Sequence, residues 1–125
     1  MELNVNNETS KLLSVVLGIA ESSGPVPKIE ECYDPKSRQH VLNETYPKEI
    51  DMLLEMESFA TILMKHNVKV FRPDVLDNYN QIFSRDIGFV IEDKFIISNI
   101  LPERSREIEA LSFILDAIDN KKLIN

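Results

Sequence analysis

The segment from Asn80 to Ser98, NQIFSRDIGFVIEDKFIIS, constrains the fold of this 125-residue chain more than any other part. Within it, two apolar runs, Gly88–Ile91 and Phe95–Ser98, flank the polar triplet EDK. Runs rich in β-branched and aromatic residues around a short polar turn are typical of a β-hairpin. The segment therefore predicts two antiparallel strands. The polar residues just before them, Asp86 among them, are expected at the mouth of a sheet.

Apolar patterns in the rest of the chain predict strands that alternate with helices. The runs Leu12–Ile19 and Val68–Phe71 are short and rich in valine and leucine, which indicates buried strands. Helices are predicted over Pro47–Asn67 and Pro102–Asn120, where apolar residues recur at helical spacing, and Leu123–Ile124 is predicted to begin another strand. This order favours an α/β or α+β class and leaves a doubly wound sheet and a propeller both open.

The stretch from Glu21 to Tyr46 contains several prolines and one glycine between the first strand and the first helix. Punctuation of this kind excludes a long helix and predicts an ordered surface loop. A loop of this length in a small domain is often functional or packed against a partner.

Charge and composition narrow the classes of partner. The net charge of -7 and the pI of about 4.8 disfavour nucleic acid, because an acidic surface repels phosphates, and they suit a cationic small molecule. A single cysteine, Cys32, excludes an internal disulfide and fits a reducing cytoplasm. The start MELNVNNETSK lacks the basic residues of a signal peptide, and the apolar run after it is too short to span a bilayer. The sequence thus predicts a cytoplasmic protein without membrane contact, and without metal-ligand spacing or a phosphate-binding glycine loop that would indicate a cofactor.

The residues before the hairpin have the chemistry that recognises a guanidinium group. A guanidinium is planar and permanently charged, so its recognition needs a carboxylate that accepts parallel N–H bonds. Asp86 is the candidate carboxylate, Phe83 could stack on the guanidinium plane, and Asn80 could bind the other end of the substrate through its amide. The alternative is structural, with Arg85 and Asp86 forming a local ion pair.

The same segment resembles the substrate-binding loop of the guanidino-modifying enzymes, which include arginine deiminases, amidinotransferases and dimethylarginine dimethylaminohydrolases. The shared pattern is an asparagine, a phenylalanine three residues later and an aspartate three residues after that, here Asn80, Phe83 and Asp86. The opening LLSVVLGIAES resembles the first strand of the family, and the segment from Asp34 to Pro73 is similar to bacterial amidinotransferase-like proteins. The resemblance thus extends over nearly the whole chain.

The resemblance implies an α/β propeller (pentein-like) of ββαβ units, of which residues 1–125 would supply about two of five as the N-terminal part of one domain. It implies that Asp86 binds the guanidino group and that Asn80 and Phe83 shape the pocket. In ILPERSREIEAL, Arg104 is the counterpart of a residue that binds the substrate carboxylate, with Arg106 as the alternative. For both arginines the bland interpretation is a solvated helix N-terminus.

The catalytic residues of the family do not occur in these 125 residues. A late cysteine, a His-x-Asp pair and a glutamate in a glycine-flanked loop are missing, and Cys32 precedes the binding motif. His40 and His66 are expected at the surface and at a helix end. The resemblance therefore implies the substrate-binding part of an enzyme that forms a cysteine adduct, with transfer and hydrolysis both open.

Two alternatives to the enzyme remain. The first is a non-catalytic binding or interaction module of the same fold, and the second is an unrelated α/β domain. Two propeller units alone would leave sheet edges and helix faces unpaired. A homo-oligomer or a missing C-terminal half is expected to cover them.

Overall fold

Two small open sheets and three α-helices make up a mixed α/β fold in the computed structural model, which describes residues Met1–Asn125. In the first sheet, β1 (Ser14–Val16) pairs in parallel with β2 (Lys69–Phe71). A parallel pair requires a long crossover, and here the crossover contains both α1 (Pro35–Leu42) and α2 (Glu49–Lys65). The predicted strands at both places are confirmed, but they are shorter than the apolar runs, and their residues are exposed or half-buried, so the prediction that these strands are buried was wrong.

The second sheet has the order β3, β4, β5. Strands β3 (Gly88–Ile91) and β4 (Lys94–Ile97) form the predicted antiparallel hairpin, and Glu92 in the turn adopts a left-handed φ of 53°. Strand β5 (Leu123–Ile124) pairs in parallel with β4, which confirms the predicted strand start.

Helix α2 (Glu49–Lys65) lies within the predicted range and carries Glu49 and Asp51 in its first turn, where carboxylates complement the helix dipole. The Glu49 carboxylate accepts hydrogen bonds from the backbone nitrogens of Ser22 and Gly24, each at 3.2 Å. These bonds tie the segment after β1 to the start of α2.

Helix α1 (Pro35–Leu42) corrects the prediction of a loop throughout Glu21–Tyr46, although the exclusion of a long helix stands. Asp34 caps the helix by accepting a hydrogen bond from the Ser37 nitrogen at 2.8 Å. Pro35 occupies the first turn, where a backbone N–H has no acceptor within the helix, so proline loses no hydrogen bond there. The fixed φ of proline also favours the helix. Pro35 therefore begins a helix, although the several prolines of this stretch predict an interruption.

The predicted helix over Pro102–Asn120 is largely a 3-10 helix. It winds as 3-10 over Pro102–Leu111 and as α only over the single turn of α3 (Ser112–Leu115). A 3-10 helix places residues three apart directly above one another. That spacing aligns Arg104 with Glu107, which form the ion pair described below.

The main apolar core lies between the second sheet and this C-terminal helical segment. Its buried members are Ile87, Phe95, Leu111, Ile114 and Ile118. By contrast, Ala60 is the one fully buried residue of α2.

Gly18, just after β1, is in contact with the segment before β3. A Cβ at this position would lie 2.4 Å from the carbonyl oxygens of both Gln81 and Ile82. Only glycine permits this approach, which brings the end of β1 beside the residues of the candidate site.

Candidate functional site

A cavity of about 210 Å³ lies between the connection that follows β1 and the segment before β3. Three of the four predicted substrate-binding residues, Asn80, Phe83 and Arg104, line it together. The opposite wall comes from the β1–β2 connection. The structure thus brings residues from three distant parts of the chain to one place.

Arg104 is the central cation of the cavity, and Glu107 holds it in a bidentate arrangement. Nε lies 2.6 Å from Glu107 Oε1, and Nη2 lies 2.9 Å from Glu107 Oε2. The Arg104 side chain is 13% exposed and that of Glu107 is 3% exposed, so the pair is shielded from water. These hydrogen bonds raise the pKa of Arg104 above its usual range, mainly through Glu107 and further through Asp86. Arg104 therefore stays charged at all relevant pH.

Asp86 does not line the cavity, but it binds Arg104, which does. Its Oδ2 accepts a hydrogen bond from Arg104 Nη1 at 2.7 Å, and the Phe83 carbonyl accepts one from Nη2 at 3.2 Å. The other oxygen, Oδ1, accepts no hydrogen bond and lies 3.7 Å from Nε of Arg85. That local ion pair, considered from the sequence, is present but exposed, and exposed pairs contribute little.

Asn80 and Phe83 are placed by a tight local turn. The Asn80 side-chain oxygen accepts a hydrogen bond from the Ile82 nitrogen at 3.3 Å, while its amide nitrogen has no protein partner. Phe83 is 46% exposed, and its ring centroid lies 5.9 Å from the Arg85 guanidinium. One amide donor and one aromatic face are thus available to a ligand.

Gln81 fixes the backbone of this segment. It is 1% exposed, and its side chain donates to the Asp74 carbonyl at 2.9 Å and accepts from the Leu76 nitrogen at 2.8 Å. Its own carbonyl accepts the Ile19 N–H at 3.2 Å. The sequence alone does not single out this residue.

The wall contributed by the β1–β2 connection was not predicted from the sequence. Glu31, Tyr33, Asp34 and Tyr46 line the cavity. Burial raises the pKa of Tyr33, and hydrogen bonds from Ser37 lower the pKa of Asp34. Two tyrosines in an otherwise polar, proline-rich stretch were the available signal, but no local pattern shows which distant residues they meet.

The remaining candidates lie in different surroundings. Arg106 is exposed, with its guanidinium 5.9 Å from the Tyr79 ring, and does not line the cavity. Cys32 lines it, with Sγ 3.4 Å from the Lys28 carbonyl. His40 is exposed beside Thr45, and His66 caps the end of α2, as expected. Of the two arginines, Arg104 is therefore the one at the cavity.

No protein-family model matches this chain, and a search of curated proteins found no similar sequence. No helix combines the length and the apolar character needed to cross a bilayer. No group of three or more histidine, cysteine, aspartate or glutamate side chains is arranged to hold a metal ion.

Proposed function

We propose that this chain is the substrate-binding part of an enzyme that acts on the guanidino group of arginine or a related compound. In this proposal the chain forms about two units of an α/β propeller, works in the cytoplasm, and relies on a cysteine nucleophile outside these residues. One observation carries it. The asparagine and phenylalanine of the binding motif line one cavity together with Arg104, and the aspartate of the motif, Asp86, forms an ion pair with Arg104 beside that cavity.

The free groups that line the cavity, and the adjacent Asp86, suit a planar cation. Asp86 retains an unbonded carboxylate oxygen, Phe83 offers an aromatic face, and the Asn80 amide can donate to the far end of a ligand. The chain would bind and orient the guanidino group. Attack on its carbon would then give a covalent adduct that water or an amine resolves.

Calorimetric titration of the chain with arginine and with agmatine tests the proposal. We expect measurable binding that weakens at least tenfold in Asp86→Asn, because a neutral amide cannot pair with a guanidinium charge. Asp93→Asn is the matched control, since Asp93 is similarly exposed, at 47% against 44%, and lies in the hairpin turn. Absence of binding to both compounds, or equal losses in both variants, would count against the proposal.

A second candidate function is a non-catalytic interaction module, which the exposed surface favours. A folded monomer of 14.4 kDa is expected to expose about 6,800 Å². This chain exposes 8846 Å², an excess of roughly 2,000 Å² over that scaling. Much of α2 contributes, with Ile50, Leu54, Phe59, Ile62 and Met64 each about half exposed or more.

The excess matches the area that one subunit contributes to a large obligate interface. Sedimentation velocity, run beside the titration, separates the two functions. A defined dimer with no guanidino binding supports the interaction module, and binding by a monomer supports the enzyme part.

A further inference from the structure

The charges around the cavity are predominantly negative. Glu31 and Asp34 lie on the wall and form no ion pair, and Asp86 and Glu107 both bind Arg104. Arg104 is the one cationic residue that lines the cavity, and these two carboxylates already exceed its charge. A ligand in the cavity therefore meets a surplus of carboxylates.

The hydrogen-bonding capacity of Arg104 is almost fully used. A guanidinium has five N–H donors, and four of those of Arg104 go to Glu107, Asp86 and the Phe83 carbonyl. One N–H donor remains free, so Arg104 cannot bind a ligand carboxylate through two parallel hydrogen bonds. The geometry makes it a positioning residue for Asp86 rather than an anion binder.

The wall facing the binding motif offers free acceptors and aromatic faces. Glu31 uses Oε2 to accept from the Lys28 nitrogen, and Asp34 uses Oδ1 to accept from the Ser37 nitrogen. Oε1 of Glu31 has no hydrogen-bond partner, whereas the Asp34 carboxylate also interacts with the Ser37 side chain. Tyr33 and Tyr46 line the same wall, and aromatic faces attract cations.

We infer that this cavity selects a guanidino compound whose other end is a cation or is neutral, and discriminates against one that ends in a carboxylate. The preferred class is an alkylguanidine with a terminal ammonium or amide group. A volume of about 210 Å³ corresponds to on the order of seven waters at about 30 Å³ each, enough for a short ligand of this class. The inference rests on the proposed function, because it assumes that the guanidino group binds beside Asp86.

The test compares three probes on the whole chain by calorimetry: agmatine, argininamide and arginine. Argininamide keeps the skeleton and the amino group of arginine and removes only its carboxylate charge. We expect agmatine and argininamide to bind at least tenfold more tightly than arginine, with the preference shrinking as salt is added. Arginine binding as tightly as argininamide overturns the inference and leaves the proposed function standing, whereas binding of no probe overturns both.

Charge-neutral variants locate the source of the selectivity. Glu31→Gln and Asp34→Asn keep an acceptor for the Lys28 and Ser37 nitrogens, so the local backbone bonds can persist. Each is expected to reduce the preference for argininamide over arginine by about threefold or more. Glu30→Gln is the control, because Glu30 is an exposed neighbour that does not line the cavity. An unchanged preference in both wall variants contradicts the inference.

Discussion

Glu107 is the buried acid of the chain, and replacing it with glutamine tests how the site is held. The substitution preserves size but removes the charge that faces Arg104 Nε and Nη2 at 2.6 and 2.9 Å. Breaking a buried ion pair usually costs about 3–5 kcal/mol, because the other charge stays buried without its partner. Arg104 keeps its bond to the half-exposed Asp86, so we expect the low end, about 3 kcal/mol.

Urea denaturation measures this loss. With a denaturant slope of about 2 kcal/mol/M, the midpoint should fall by roughly 1.5 M. Glu109→Gln is the matched control, since Glu109 is an exposed glutamate on the same 3-10 segment, and its midpoint should move by no more than about 0.25 M. A loss below about 1 kcal/mol in Glu107→Gln would refute the argument that the pair is shielded from water.

A double variant distinguishes the ion pair from the local packing. Arg104→Met combined with Glu107→Leu removes both charges and leaves an apolar pair of similar size. Replacing both partners is often close to neutral, so the double variant should be more stable than Glu107→Gln by at least about 1 kcal/mol. Equal instability would mean that packing at these positions, and not the unpaired charge, sets the cost.

Three further changes probe the scaffold. Gly18→Ala should destabilise by about 1–3 kcal/mol in urea, because its Cβ would meet the carbonyls of Gln81 and Ile82 at 2.4 Å; a neutral effect would contradict that contact. Gln81→Ala should lower the free energy of unfolding by about 2–4 kcal/mol and speed amide exchange nearby, since it leaves the Leu76 N–H and the Asp74 carbonyl without partners; unchanged exchange would argue against this role of Gln81. Asp34→Ala should cost about 1 kcal/mol by removing the cap on the Ser37 nitrogen, while Asp34→Asn keeps it. The pKa of Asp34 is lowered in the folded state, so its negative charge stabilises the fold at pH values above the unfolded pKa of about 4. This contribution to stability is lost as the pH falls through the folded pKa. Asp34→Asn should therefore lose less stability on acidification than the unsubstituted chain. The same dependence of stability on pH in both proteins between pH 5 and pH 2 would contradict this role of the Asp34 charge.

Local patterns predicted the elements whose residues interact with close neighbours in sequence. The hairpin β3–β4 followed from two apolar runs around a polar turn, and α2 from its spacing and its acidic first turn. The cap of α1 was also local, but Pro35 was interpreted as a break because several prolines surround it. The 3-10 form of the segment from Pro102 could not be recognised, since an apolar spacing of three occurs in both kinds of helix.

Only the side of the site formed by the binding motif and Arg104 was predictable from the sequence. The motif marked Asn80, Phe83 and Asp86, and the downstream arginine marked Arg104, because each lies in a short recognisable segment. The bond between Asp86 and Arg104 joins residues 18 apart, and no periodicity reports such a contact. Tyr33 and Tyr46 reach the cavity through the fold of the whole β1–β2 connection, so their role depends on tertiary structure alone.

The parallel pairing of β1 with β2 has a kinetic consequence for the cavity. Val15 meets Val70 only after the intervening chain has closed into a loop, whereas the hairpin β3–β4 closes across two residues. Long-range closure carries an entropic cost that must be met before the contacts form, which makes such pairings late events in folding. One wall of the cavity belongs to that loop, so the cavity is complete only in molecules in which β1 and β2 are paired. A ligand bound there would therefore slow the opening of β1 from β2, and its occupancy could be followed by amide exchange at Lys69 and Leu17, whose N–H groups donate across this pair to the Leu13 and Phe71 carbonyls.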